Sequence, residues 1–134
     1  MTEPLLNSTA TAQMVVGDSD LASALPMTSA DAFPTVLATA RMVALMEIAS
    51  ARLLHSCLGP GELSVGVSVD ITHTSPTPKG AVVMAEAEYI GREGKLFLFE
   101  VVASDQGGEI GRGRHKRAIV SVERLQAGAL KRNR

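Results

Sequence analysis

Residues 35–57 read TVLATARMVALMEIASARLLHSC. Nothing in this run breaks a helix: it holds no glycine or proline, and Ala, Leu and Met, all strong helix formers, dominate it. Gly59-Pro60-Gly61 then stops it, so the pattern predicts one long helix from Thr35 to Cys57. Upstream, Ala12 to Gly17 suits a short strand. The stretch 18–34 is rich in Ser, Ala, Asp and Pro without clean periodicity, which predicts a loop with a helical turn that could serve as a lid. Downstream, strand character appears over Glu62–Thr74, Gly80–Ile90, Lys95–Ser104 and Gly111–Glu123. Gly91-Arg-Glu-Gly94 and Asp105-Gln-Gly-Gly108 read as hairpin turns, and Ser75-Pro-Thr-Pro-Lys-Gly80 as a rigid connection.

The expected order is therefore a strand, a long helix and an antiparallel meander of four strands, with a short basic tail over 124–134. This is an α+β layout. A five-stranded sheet buries its apolar face most simply by wrapping around the one helix, which describes a hotdog fold occupying residues 1–134 as a single domain.

With 134 residues, 46% hydrophobic and 20% charged, the chain has the balance of a protein with a proper core, which excludes a disordered or fibrous protein. The net charge of -1 gives no broad attraction to nucleic acid or membrane, and neither is expected as a partner. That average hides an asymmetry, because residues 111–134 hold eight Lys or Arg against one Glu. Aromatic residues make up only 3%, with no Trp, so stacking platforms for bases or sugars are hard to build. The single cysteine, Cys57, cannot form an internal disulfide, and neither a leader segment nor an 18-residue apolar run is visible, so the cytoplasm is the expected location. Three His and one Cys give no zinc set with the usual spacing, and no phosphate-cradling glycine loop is present; no metal or cofactor is expected. A chain this short encloses a large ligand more easily between two copies than alone.

Three residues stand where apolar or ordinary ones belong. On a helical wheel Val36, Ala40, Val43, Ser50 and Leu54 fall within roughly 80° of one another, with Glu47 among them and Arg41 and Arg52 turned away. Two readings of Glu47 stand: a slightly rotated helix that leaves it at the margin, or a carboxylate lining a cleft as acid or base. His73 continues the parity of Leu63, Val65, Val67, Val69 and Ile71, which predicts an inward imidazole at a strand end, either a hydrogen-bonded core group or a functional one. Gly66, mid-strand, marks a bulge, a close approach of a ligand to the backbone, or a packing need. Thr39 lies at the edge of the apolar stripe and by itself signals nothing.

Phe33-Pro-Thr-Val-Leu-Ala-Thr-Ala-Arg-Met-Val-Ala-Leu-Met-Glu47, Pro60-Gly-Glu-Leu-Ser-Val-Gly66, Val69-Asp-Ile-Thr-His-Thr-Ser-Pro-Thr-Pro78 and Gly111-Arg-Gly-Arg-His-Lys-Arg117 together resemble the fluoroacetyl-CoA thioesterase-like hotdog enzymes. The resemblance runs from about Phe33 to Val122. It implies an acyl-CoA thioesterase with Thr39, Glu47 and His73 as the catalytic set, and it places Gly66 and Arg117 beside the thioester and its coenzyme. Thr39 and Arg117 enter on the resemblance alone. Enzymes of this family tuned to the fluorinated acyl group are similar in carrying two lid phenylalanines three residues apart; here the second is Phe33 and the first position is Ala30. A single aromatic lid is expected to be more open, which puts selectivity for fluoroacetyl-CoA in doubt.

Thioester hydrolysis needs an activated nucleophile, a place for the oxyanion and a proton for the leaving thiolate. Glu47 could activate water or attack the carbonyl, or His73 could act as base; the Gly66 N–H is a candidate oxyanion donor and Thr39 a positioning group. Eight residues of helix span about 12 Å, too far for Thr39 and Glu47 to meet at one carbonyl within one chain. A homodimer with sites at its interface is therefore expected, with pairing of dimers into a tetramer left open. Of Arg112, Arg114, Lys116 and Arg117, alternation lets only some face one way, and those at a pocket mouth would meet the coenzyme's phosphates. The competing class is a non-catalytic module of the same fold that binds an acyl thioester of CoA or of an acyl-carrier protein.

Overall fold

The computed structural model describes residues 2–134. Its elements are β1 (Thr9–Val15), α1 (Thr39–Leu54), β2 (Glu62–His73), β3 (Val82–Glu93), β4 (Leu96–Asp105), β5 (Gly108–Ser121) and α2 (Val122–Arg132). The five strands form one antiparallel sheet in the order β1-β3-β4-β5-β2, and α1 packs against all five. This is the hotdog arrangement.

Alternation along the strands builds the core. Val83, Ala85, Ala87 and Tyr89 of β3 and Phe97, Phe99, Val101 and Ala103 of β4 are buried toward the helix, which answers with Met42, Leu45, Met46, Ala49 and Leu54. The alanines at 85, 87 and 103 keep the sheet close to α1, while Tyr89 and Phe99, with ring centroids 5.8 Å apart, fill the wider part.

Several expectations are corrected. The helix begins at Thr39, four residues later than expected, because the preceding backbone is bonded elsewhere. Leu37 bridges to Leu21 and its N–H donates to the Thr77 carbonyl, and the Ala38 N–H donates to the Asp20 carbonyl. The last turn, His55–Cys57, is a 3-10 helix. The stretch 18–34 contains two 3-10 turns, Asp18–Asp20 and Ala22–Ala24; its base is sewn down by these bonds, while residues 24–35 are exposed.

The four later strands are not a simple meander. Only β3, β4 and β5 follow one another in the sheet, and β2 lies at an edge, paired with β5. The 75–80 segment thus crosses between sheet positions. It is pinned by buried Thr77, whose hydroxyl donates to Asp105 Oδ2 at 2.7 Å. In the first hairpin β3 runs past Gly91, where the register slips, and the turn falls at Gly94 and Lys95. The expected basic tail is helical: α2 is capped by the Ser121 side chain, which accepts from the Arg124 N–H at 3.3 Å.

The apolar parity of β2 is also not buried as expected, since Leu63, Val67 and Val69 are 55%, 54% and 44% exposed. An edge strand has no neighbour on one side, and no other element among the described residues covers these side chains.

Candidate active site

Glu47 lies at the margin of the buried face of α1, because that face centres on Met42, Leu45, Met46 and Ala49. The wheel went astray by counting Val36, which lies outside the helix, and Ala40, which is exposed. The marginal position still gives Glu47 a partner. Its Oε1 accepts from Arg117 Nη1 at 3.2 Å and lies 3.8 Å from His115 Nε2, while its side chain stays 39% exposed. Oε2 has no hydrogen-bond partner among the described residues, so one oxygen is held and the other is left without a protein partner.

Gly66 makes room for this arrangement. A methyl group on it would collide with Glu47 Oε1 and come to 3.2 Å from His115 Cε1. It also adjoins a bulge: the β2–β5 register runs from Gly66↔Arg117 to Ser68↔Lys116, leaving Val67 extra. The bulge and close-packing readings of this glycine therefore both hold.

The outward and inward faces of β5 divide its cations. Arg112, Arg114 and Lys116 point out and pair with Glu109 at 2.6 Å, Glu100 at 3.5 Å and Glu93 at 2.9 Å. Arg117 points in and is buried, donating to Ser64 Oγ and the Ser64 carbonyl, both at 2.9 Å, as well as to Glu47. Burial works against its charge and lowers its pKa, an effect the Glu47 carboxylate offsets only in part. All four cations of the strand are thus already matched by carboxylates. Of the remaining basic residues in 111–134, Arg124, Lys131 and Arg132 stand on α2 and Arg134 follows it.

Thr39 and His73 meet at the other end of α1. Thr39 Oγ1 lies 2.8 Å from His73 Nδ1, and His73 Nε2 is buried without a hydrogen-bond partner. A buried ring nitrogen left open is uncommon and suits a group that engages a bound molecule. The pair borders a cleft of about 360 Å³, lined also by Pro76 and, from the lid base, by Ala22, Pro34 and Val36. Phe33, next to Pro34, is 52% exposed. The structure therefore joins Thr39 to His73, and Glu47 to Gly66 and Arg117, as two separate constellations.

His115 belongs to the second constellation and was not singled out in the sequence. It sits within the Arg-rich run 112–117, which reads as a charged strand. The available signal was parity, since His115 shares the inward face with Gly111, Gly113 and Arg117. Among the described residues no three His, Cys, Asp or Glu side chains gather as metal ligands would, and no helix is long and apolar enough to cross a membrane.

Residues 16–123 match the model of a protein family described as fluoroacetyl-CoA-specific thioesterase. The chain belongs to this family. A fluoroacetyl-CoA thioesterase from Streptantibioticus cattleyicolor is 43% identical over 95 residues, covering 71% of this chain and 68% of that protein. The solved structure of the fluoroacetyl-CoA thioesterase FlK superimposes with a TM-score of 0.89 at 36% identity, over 94% of this chain and 95% of that one. A variant of FlK in complex with fluoroacetate and CoA gives 0.83 at 36% identity, over 90% and 98%. This family member is a thioester hydrolase of the hotdog fold, and the reading as a non-catalytic binding module is set aside.

Proposed function

We propose that this chain hydrolyses small acyl-CoA thioesters at sites shared between two copies, each site taking Thr39 and His73 from one chain and Glu47, Gly66 and Arg117 from the other. The observation that carries this reading is the separation of the two constellations along α1. They stand about 12 Å apart on eight residues of helix, too far to serve one carbonyl within a chain. The exposed apolar edge of β2 supports a homodimer, because a second β2 running antiparallel would cover Leu63, Val67 and Val69 and satisfy the open edge.

In this site Arg117 holds Glu47 by Oε1, and Oε2 takes the proton of the attacking water, or itself adds to the thioester carbonyl and expels the thiolate to leave a mixed anhydride that water then cleaves to the free acid and Glu47. The Gly66 N–H is the oxyanion donor. His73, oriented by Thr39, gives the proton to the departing CoA thiolate. Coenzyme A enters as part of the substrate, and the reaction needs no cofactor. Arg124, Lys131 and Arg132 of α2 supply the positive charge for its phosphates. A cytoplasmic enzyme is the matching location.

With Phe33 as the one lid aromatic and Ala30 at the other position, the acyl pocket lacks the second ring that would close on a two-carbon fluorinated group. Free-thiol release from acetyl-, propionyl-, aromatic and fluoroacetyl-CoA tests the reading. Turnover of several small acyl-CoAs, with fluoroacetyl-CoA favoured over acetyl-CoA by no more than about tenfold, is expected. Absence of thiol release from every member of the panel contradicts the activity, and a strong preference for fluoroacetyl-CoA contradicts the open-lid argument.

A further inference from the structure

We infer that His115 is a positioning residue, a neutral imidazole fixed in one tautomer whose task is to aim Arg117 at Glu47. The inference rests on the reading that Glu47 acts on the thioester.

The hydrogen bonds leave the ring one consistent state. His115 Nδ1 lies 2.9 Å from the Ser68 carbonyl oxygen, which can only accept, so Nδ1 carries the hydrogen and donates. Nε2 lies 3.1 Å from Arg117 Nη1, which can only donate, so Nε2 accepts and carries none. Both conditions hold only for the neutral ring with its proton on Nδ1. Arg117 Nη1 then donates to two fixed acceptors, His115 Nε2 and Glu47 Oε1, while Nε and Nη2 are held by Ser64. The guanidinium cannot turn without breaking one of these bonds.

The chain that sets this geometry starts at the bulge. Extra Val67 lies between Gly66 and Ser68, and the Ser68 carbonyl beyond it serves the His115 ring. The charged groups in contact with the ring are Arg117 from its own strand and Glu47 from α1; β4 contributes Phe99, with ring centroids 6.5 Å apart. Burial above all, joined by the Arg117 charge, opposes protonation and outweighs the help from the Ser68 carbonyl and from Glu47, which holds the ring's pKa below the usual imidazole value. A second proton would put a donor on Nε2 against the Arg117 donor and a cation beside a cation, releasing the aim on Glu47.

The test combines a spectroscopic and a kinetic readout on the full chain. In protein labelled with 15N-histidine, one ring is expected as the Nδ1–H tautomer, still neutral where the ring of an exposed histidine has become protonated, and its signal is expected to vanish in His115→Gln. In His115→Leu, which offers Arg117 no acceptor, kcat is expected to fall at least tenfold with KM within about threefold of the parent. His115→Gln, which places an amide oxygen near the former Nε2, is expected to recover most of that loss. If His115→Leu does not fold, the tautomer and His115→Gln decide. A ring in the Nε2–H form, a ring that titrates in the ordinary range, or a His115→Gln variant as impaired in kcat as removal of Glu47 overturns the inference. A parent that releases no thiol would instead defeat the proposed activity while leaving the tautomer readable.

Discussion

At the scale of single residues, the site depends on space as much as on charge. Gly66 is the clearest case, because the volume a side chain would take is occupied by the Glu47 carboxylate. The obstructed atom is the far end of a flexible side chain, so Gly66→Ala is expected to push Glu47 aside rather than break the sheet. Replacing a strand glycine by alanine also recovers roughly 0.5–1 kcal/mol of backbone entropy. We therefore expect Gly66→Ala to keep its unfolding midpoint near that of the parent while kcat drops by about tenfold or more, read from denaturant unfolding and thiol release. A variant that loses stability but hydrolyses normally when folded would show that Gly66 serves packing alone. Glu47, His73 and Gly66 stood out in the sequence because each broke a local pattern: a carboxylate near an apolar stripe, an imidazole in an apolar parity, a glycine in a strand. His115 did not stand out. Its inward parity was hidden by cations on both sides that turned out to face the other way and to pair with carboxylates.

At the scale of elements, the strands and the long helix were legible because their periods are local properties of the sequence. Neighbours in the sheet are not. Nothing in Glu62–His73 says that it pairs with the last strand rather than the next, and the crossover between them is pinned by Thr77 against Asp105, far apart in sequence. The start of α1 was misplaced for a similar reason, since the backbone bonds that hold 37–38 out of the helix come from Asp20 and Thr77, distant in sequence. The C-terminal helix was missed because the basic residues of 124–134 read as a solvated tail, and none of 122–132 is buried. Its worth should therefore lie in charge. Ending the chain after Ser121 is expected to cost less than about 1 kcal/mol of stability, since no buried side chain is removed. The same truncation is expected to raise KM for an acyl-CoA severalfold but not for the matching acyl-pantetheine, which lacks the phosphates. Equal effects on the two substrates would deny α2 a part in holding the coenzyme.

For the whole molecule, the proposed reading gives each chain two incomplete halves of one chemistry. Thr39 and His73 sit where α1 begins and β2 ends, and Glu47, Gly66, His115 and Arg117 gather two turns further along α1. In the proposed dimer an antiparallel partner on the β2 edge would bring the first half of one chain toward the second half of the other and would bury the apolar side chains that β2 exposes. The central claim is this sharing, and subunit complementation tests it most directly. Glu47→Gln and His73→Ala chains, each near inactive alone, are unfolded together, refolded and assayed for thiol release. If each site draws on both chains, the mixed dimers hold one intact site of two, and random mixing gives about a quarter of parental activity. If each site belongs to one chain, the mixture stays at the level of the separate variants, and that result would contradict the account.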